Sequence, residues 1–552
     1  MTMKRTYDDS MFIEVFEHEY TWLNGFLRNA KRYADKAAVI DPEQNLTWTY
    51  DRLNRESNKF ANALLKDGTG KNHVVMAALR NCPAFCTSYI GPRKIGAILL
   101  AANSSLASGE MALLIDHNSP KVLIYSASIK KVVMDALELC THKPDRIIIA
   151  DNIENEDVPA GHVLYDEYVE GMSELEPEAD TPHHIYDEVV RLCTSGTTAL
   201  PKSVPINDIN EVLSAHDVIM HYPMNCNDIT LNMTPWFHRG GCHSGGPCPS
   251  FYVGAAVVVM RTFKPQTVLD WTAKYGITFI MGAPANLEML SRAQEKKSRN
   301  LSSVRGIITM GGPLTRSDCI RYMGVLTPNI FNGYGTTETF WNSFLRPYNL
   351  PSGAGSVGAS CIDDEVRVVK NSVDGSYNPD NLAEKNGKET GEVIIYSPGK
   401  TTYSYFNNRE AQEEKFHDGW MFTGDIGTWN KDSVVTIHGR KDDMMIVSGE
   451  NIFPQQIEDA LLKNEKIRDC IVTSVPDKIR GQAIVAYVVS DEQMTVSELD
   501  KFCSESPYLS KYKKPRYYAF TTDIPKTATG KKKRNEMKLI ALEDLKNGKL
   551  FK

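Results

Sequence analysis

The chain has 552 residues, 42% hydrophobic and 24% charged, a globular balance that excludes disorder and collagen-like structure. Its longest strongly apolar stretch, residues 253–260, falls far short of the ~18 residues a membrane-crossing helix needs, and the opening MTMKRTYDD has no apolar segment after its basic pair. The formal net charge of -7 is divided by region: residues 511–552 hold thirteen Lys and Arg against four Asp and Glu, so the remainder is strongly acidic.

At about 150 residues per unit the length predicts three or four structural units. From about residue 35 to 345, short aliphatic runs (74–79, 122–125, 147–150, 255–260, 277–281 and 307–310) alternate with longer amphipathic segments. That spacing predicts repeated βα units and largely parallel sheets. Between 391 and 437 strand candidates at 393–396 and 434–437 crowd together among Gly, Asn and Asp, which predicts a smaller β-rich unit. A third pattern follows Gly439. Pro454 opens a helix through Ile457, Ala460 and Leu461, 470–474 and 483–489 read as strands, and Thr495 with Glu498 forms a capping box. The boundary is therefore set near Arg440.

Eleven cysteines, an odd number without a CxxC pair, do not read as a secreted disulfide framework, so reduced thiols and a cytoplasmic location are expected. The basic tail suits nucleic acid or a polyphosphate ligand such as ATP or coenzyme A. Its run Lys531-Lys532-Lys533-Arg534 reads by itself as a solvated face.

The strongest local signal is Thr194-Ser195-Gly196-Thr197-Thr198-Ala199-Leu200-Pro201-Lys202-Ser203. Hydroxyls, a glycine that lets backbone amides converge and a terminal lysine are the chemistry of a triphosphate cradle. Pro201 occupies the second-glycine position of a P-loop and offers no N–H, which counts against a P-loop ATPase or kinase.

The same stretch resembles the TSGTTGxPKG motif of the adenylate-forming superfamily of acyl-CoA synthetases, luciferases and peptide-synthetase adenylation domains, with Ala199 and Ser203 where glycine is usual. In the superfamily's order, Asn332-Gly333-Tyr334-Gly335-Thr336-Thr337-Glu338 resembles its YGxTE segment, Thr423-Gly424-Asp425 its TGD segment, Gly439-Arg440-Lys441-Asp442-Asp443 its hinge, and 525–531 its PxTxxGK ending. The resemblance implies an α/β fold: a large N-terminal adenylation domain (1–439) of two doubly wound βα sheets plus a small β-barrel at about 350–439, and a smaller mobile α+β C-terminal lid (440–552).

It also implies an AMP-forming acid–CoA ligase. Carboxylate attack on the α-phosphate of ATP yields acyl-AMP and pyrophosphate, and a thiol then displaces AMP; the overall step is near reversible unless pyrophosphate is removed. Small-molecule acid, ATP, Mg2+ and coenzyme A are the implied partners, with no nucleic acid, no integral membrane association and a homodimer as the candidate assembly. Residues Thr194, Ser195, Gly196, Thr197, Thr198 and Lys202 would hold the β and γ phosphates, Thr337 the α-phosphate, and Glu338 Mg2+, a hard cation suited to carboxylate. Tyr334 would face adenine opposite Gly311-Gly312-Pro313, Asp425 would accept the ribose hydroxyls with help from Arg440, and Lys441 and Asp442 would form the hinge. Lys531 would bridge carboxylate and α-phosphate, and rotation would replace it by Ser448-Gly449-Glu450-Asn451 at the pantetheine tunnel. Lys532, Lys533 and Arg534 would face solvent or the phosphates of coenzyme A.

Pro235-Trp236-Phe237-His238-Arg239-Gly240-Gly241 resembles the acid-entry region, with His238 as gate. His238, Cys242, His243 and Cys248 match no common zinc spacing, and the glycines at 240, 241, 245 and 246 read better as a tight wall. No aspartate lies between Trp236 and Tyr252, where amino-acid-activating relatives usually place one to hold the substrate ammonium. The apolar, glycine-lined segment suggests a hydrophobic acid, and 448–452 with Pro454, Ile457 and Glu458 resembles aryl- and medium-chain acyl-CoA ligases, which implies an aromatic, alicyclic or medium-chain acid. The alternatives are an acetate-type or amino-acid-type adenylating enzyme and a nucleotide-binding protein without turnover.

Overall fold

The computed structural model describes residues 8–551 apart from 180–182, 195–201, 371–375, 448–449, 478–480, 507–508, 510–512 and 528–529, and apart from the side chains of Ile446, Glu450 and Asn451. The expected triphosphate contacts of Ser195, Gly196, Thr197 and Thr198 and the tunnel residues Ser448 and Gly449 lie outside the described residues, as does the Glu450 side chain.

Alternating βα segments build two large sheets. The first orders its strands His162–Leu164, Arg146–Ala150, Val122–Ser126, Val74–Ala78, Ile98–Ala101, Glu188–Thr194 and Lys202–Asn207. All neighbours are parallel except the last pair, in which Thr194 lies opposite Lys202. The central strands Val74–Ala78 and Val122–Ser126 are buried along their whole length, as the unbroken apolar runs predict for strands covered on both faces.

The second sheet has nine strands with a parallel centre: Ala37–Asp41, Ala256–Val258, Ile229–Asn232, Phe279–Gly282, Gly306–Met310 and Ile330–Thr336. Antiparallel partners close its flanks, Leu46–Thr49 beside Ala37–Asp41, and Phe340–Leu345 with Ala359–Ser360 beyond Ile330–Thr336. Helix Trp22–Arg32, capped by the Thr21 hydroxyl on the Asn24 N–H, buries one face (Trp22, Phe26, Asn29 and Ala30) against other helices: Trp22 Nε1 donates to the Cys248 carbonyl at 2.9 Å and Asn29 to the Phe251 carbonyl at 3.1 Å, both in helix Pro247–Val253.

The β-rich unit is an open antiparallel sheet of Glu365–Val369, Gly391–Tyr396, Trp420–Trp429, Phe416–His417 and Val435–Arg440. Among the described residues no ladder pairs Glu365–Val369 with Val435–Arg440. Closely spaced strand signals predict strands and turns but carry no register between the first strand and the last, so closure was not decidable from them. The smaller C-terminal unit has a three-stranded sheet, Ile467–Asp477, Gly481–Ser490 and Tyr517–Phe520, with helices Pro454–Leu461, Val496–Glu505 and Arg534–Lys546. The Thr495 box is formed: its hydroxyl accepts from the Glu498 N–H at 3.2 Å and Glu498 accepts from the Thr495 N–H at 2.7 Å.

Candidate active site

Parallel register brings three distant sequence stretches to one sheet edge. Asn232 lies beside Met281, Gly282 beside Thr309, and Met310 beside Gly333. The chain therefore leaves strand Ile229–Asn232 into Pro235-Trp236-Phe237-His238, strand Gly306–Met310 into Gly311-Gly312-Pro313, and strand Ile330–Thr336 into Thr337 and Glu338, all at the carboxyl ends where open α/β sheets hold ligands. Gly311 has φ +77°, a left-handed turn that glycine takes without strain. At Gly335 a Cβ would lie 1.5 Å from the Phe340 carbonyl oxygen, so only glycine lets the strand fold back this tightly behind Glu338. Asn332 is buried and donates to the Ser356 carbonyl at 3.1 Å, a fastening for the strand end, while Thr336 shares a 2.9 Å hydroxyl bond with Thr339.

Asp425 joins this edge from the β-rich sheet. The Tyr334 hydroxyl donates to its Oδ2 at 2.7 Å, and Arg440, its cross-strand partner, donates from Nη1 to Oδ1 at 3.0 Å. Arg440 also donates to the Thr423 carbonyl at 2.6 Å. Burial, and then the adjacent Asp425 charge, holds the Tyr334 phenol well above its ordinary value, so it stays a donor. A carboxylate offers about four lone-pair positions, so Asp425 keeps acceptor capacity for a diol.

Glu338 is buried and accepts a 2.6 Å hydrogen bond from Tyr405 at Oε1. Lys202 stands over the same Tyr405 ring, 5.3 Å from its centroid, and 3.8 Å from the Glu414 carboxylate. Lys415 lies between these groups: its Nζ donates to the carbonyls of Phe422 at 3.4 Å and Thr423 at 3.3 Å, and its charge is felt by Arg440, Glu338, Glu414 and Lys202. Burial and then Arg440 lower the Lys415 ammonium below its usual range, with Glu338 and Glu414 opposing. A buried carboxylate with one oxygen engaged by a hydroxyl suits an oxygen-seeking divalent ion, and the clustered cations suit a polyphosphate. Tyr405, Glu414 and Lys415 sit in no recognised motif, and nothing in the sequence marked them.

Lys531 is exposed in a hairpin whose neighbour Gly530, at φ +81°, places an added Cβ 3.9 Å from the Ala285 Cβ, just past strand Phe279–Gly282. Gly530 therefore approaches the first turn of helix Pro284–Lys296, which follows that strand. Lys441 donates to Glu392 at 3.0 Å and Asp442 is largely exposed, 3.8 Å from Arg440. The reading of Lys532 and Arg534 as solvent-facing or phosphate-facing is corrected: both turn inward onto Glu458, because a buried carboxylate 74 and 76 residues away draws them out of solvent.

The stretch expected to admit the acid is closely packed. Gly240 would place a Cβ 3.0 Å from Met310 Sδ, and Gly245 would meet Met281 and the Tyr222 hydroxyl, within an apolar cluster of Phe279, Met281, Ile308, Met310, Phe340 and Trp341. His238 has its imidazole pushed down to about 4 by burial, so it is neutral near pH 7. His243 does not join His238; its Nε2 meets the buried Glu211 carboxylate, to which Arg93 and Tyr89 are also bonded. His243, Cys248 and Glu211 cluster, but Arg93 beside Glu211 and Arg239 close by repel a cation. Glu211 is the acid that sequence spacing missed here, and its existing partners leave it unsuited to hold a substrate ammonium.

The comparisons agree in coverage. A family model of AMP-binding enzymes matches residues 26–406, and one of the AMP-binding enzyme C-terminal domain matches residues 456–531. The chain is 27% identical to a putative acyl-CoA synthetase, YngI, of Bacillus subtilis (strain 168), over 94% of this chain and 96% of that protein. It is 27% identical to 4-coumarate–CoA ligase 3 of Oryza sativa subsp. japonica, over 91% and 89%. The fold matches that of the anthranilate CoA ligase AuaEII solved in complex with anthranoyl-AMP, with a TM-score of 0.85, 23% identity, and 96% and 98% of the two chains covered.

Proposed function

We infer the details of the reaction from one premise: the chain belongs to the AMP-binding enzymes and is an AMP-forming acid–CoA ligase that uses ATP, Mg2+ and coenzyme A. In our reading the cleft between Lys202, Glu338 and Asp425 holds ATP with its ribose on Asp425 and its phosphates toward Lys202 and Glu338. The observation that carries this reading is the Tyr334–Asp425–Arg440 arrangement beside the Glu338–Tyr405 pair. Tyr334 presents its ring to adenine across from Gly311, Gly312 and Pro313, and Asp425 accepts the ribose hydroxyls. Glu338 would hold Mg2+, which when bound neutralises phosphate charge.

Lys531 carries adenylation in this reading. Its ammonium pairs with the acid's carboxylate and an α-phosphate oxygen, bringing like charges together and stabilising the charge that builds up as pyrophosphate leaves. The unit from about residue 440 onward then turns about Asp442, withdrawing Lys531 and bringing Ser448, Gly449 and Glu450 to the thiol. His238, neutral and at the mouth of the acid pocket, gates entry without adding a charge that would trap the carboxylate.

For the acid we favour an aromatic or alicyclic ring. The apolar, aromatic wall behind Gly240 and Gly245 supports it, as do the names of relatives that act on 4-coumarate and anthranilate. A cytoplasmic location, a homodimeric assembly and the absence of nucleic-acid binding belong to the same reading. The test has two parts. Benzoate, cyclohexane carboxylate, hexanoate and acetate are compared as acids, with AMP and pyrophosphate as the expected products and a preference for acetate counting against the ring. Lys531→Ala is then expected to abolish acyl-AMP formation while leaving thioester formation from supplied acyl-AMP intact; equal loss of both overturns the role of Lys531.

A further inference from the structure

We propose that Glu458 is a positioning residue for Lys531, acting through the side chains of Lys532 and Arg534. The proposal rests on the reading of Lys531 as the adenylation lysine. Glu458 projects from helix Pro454–Leu461 and is 0% exposed. A carboxylate so placed is tolerable only when its oxygens are fully engaged. Oε1 accepts from the Val472 N–H at 2.7 Å, Arg534 spans both oxygens with Nη2 3.0 Å from Oε2, and Lys532 Nζ lies 3.3 Å from Oε2. Lys532 also pairs with Asp469 at 3.1 Å, and Arg534 reaches Asp443, in the hinge segment, at 3.5 Å.

These anchors flank the reactive residue. Lys526 and Lys532 form a bridge across the hairpin, the Thr527 N–H donates to the Lys531 carbonyl at 2.7 Å, and the Lys531 N–H donates to the Thr527 hydroxyl at 3.1 Å. Neighbouring side chains on an extended segment point to opposite sides, so Lys532 drawn inward to Glu458 turns Lys531 outward. The burial follows that alternation: Lys531 is exposed and Lys532 largely covered. Three lysines in a row carry equal charge and near-equal shape, and it is the buried carboxylate that decides which of them is presented. The bond from Arg534 to Asp443 ties the same hairpin to the hinge on which the unit is proposed to turn.

A purely architectural role for Glu458 predicts damage to both half-reactions, because the whole C-terminal unit would loosen. A positioning role predicts damage to adenylation alone, since a displacement of about 1 Å at a reacting group costs on the order of 100-fold. The experiment uses the full chain, the preferred acid of the four-acid panel and its acyl-AMP. Glu458→Gln is expected to lower ATP–pyrophosphate exchange by roughly 100-fold while thioester formation from supplied acyl-AMP stays within about twofold, and Glu458→Asp is expected to recover part of the exchange. Parallel loss in the two half-reactions, or unchanged exchange, overturns the proposal. Should Glu458→Gln fail to fold, Lys532→Met carries the same expected split and the same overturning result. Absence of AMP formation by the unsubstituted chain would instead strike the ligase reading itself.

Discussion

Tyr334 and Asp425, 91 residues apart and on different sheets, are joined by a 2.7 Å hydrogen bond that locks the proposed adenine face to the proposed ribose acceptor. The bond ties the two into one unit, which lowers what binding spends on ordering them. Tyr334→Phe keeps the ring and loses only the donor, and we expect the KM for ATP in pyrophosphate exchange to rise about 2- to 10-fold. Asp425→Ala removes the charge-assisted acceptors and the carboxylate partner of Arg440, and a rise of roughly 100-fold or more is expected. Equal effects of the two substitutions would contradict this division of labour.

Glu338 and Tyr405 give a metal prediction. Glu338→Gln is expected to raise the half-saturating Mg2+ concentration about 100-fold, and Tyr405→Phe, which frees the carboxylate to rotate, about 10-fold. Titration of exchange activity with Mg2+ at fixed ATP reads both, and EDTA should abolish the activity. An unaltered Mg2+ curve in Glu338→Gln would remove Glu338 from the metal site.

Burial pushes the Asp459 carboxyl, beside Glu458, up to about 6 from 3.8. The native state therefore holds its proton where the unfolded chain has lost it. Below about pH 3.8 the two states are protonated alike and nothing is lost; as pH rises through 6 the buried group must ionise and stability falls, by something of order 3 kcal/mol. Asp459→Asn keeps the acceptor for Gln455 and should stabilise the protein toward urea at pH 8 but not at pH 4. Equal stabilisation at both pH values would refute the titration.

His238 yields the opposite kind of pH behaviour. With its imidazole pushed down to about 4 by burial, it should remain neutral across the range from about pH 5.5 to 8. Its preference for the neutral form contributes stability that is complete above the ordinary histidine value and is lost as pH falls toward 4. The profiles of kcat/KM for the acid in the native chain and in His238→Phe should have the same shape over that range. An inflection near pH 6.5 present only with histidine would show that it titrates in the reaction.

Much of this could be read from local pattern. Apolar runs marked the strands, and strand Gly306–Met310 falls on the expected run at 307–310. Pro454 opens its helix and Thr495 caps the next one as the spacing predicts, because these signals act within a turn or two of chain. What escaped notice depends on distant partners. Tyr405 contacts Glu338 across 67 residues, and Arg93 meets Glu211 across 118, with no spacing rule to announce either. The inward turn of Lys532 and Arg534 has the same cause: a run of charges is indistinguishable from a solvated face until the carboxylate that buries it is located.

On the proposed assignment, the strand edge separates choice of acid from activation of it. The glycine wall follows strand Ile229–Asn232, whereas Tyr334 and Glu338 belong to strand Ile330–Thr336 and its turn, with two strands intervening. Retailoring the pocket is thus a local engineering problem: enlarging residue 240 presses first on Met310, a pliable thioether, before any group assigned to ATP has to move. A lineage, or a designer, could exchange one carboxylic acid for another while inheriting the phosphoryl chemistry unchanged.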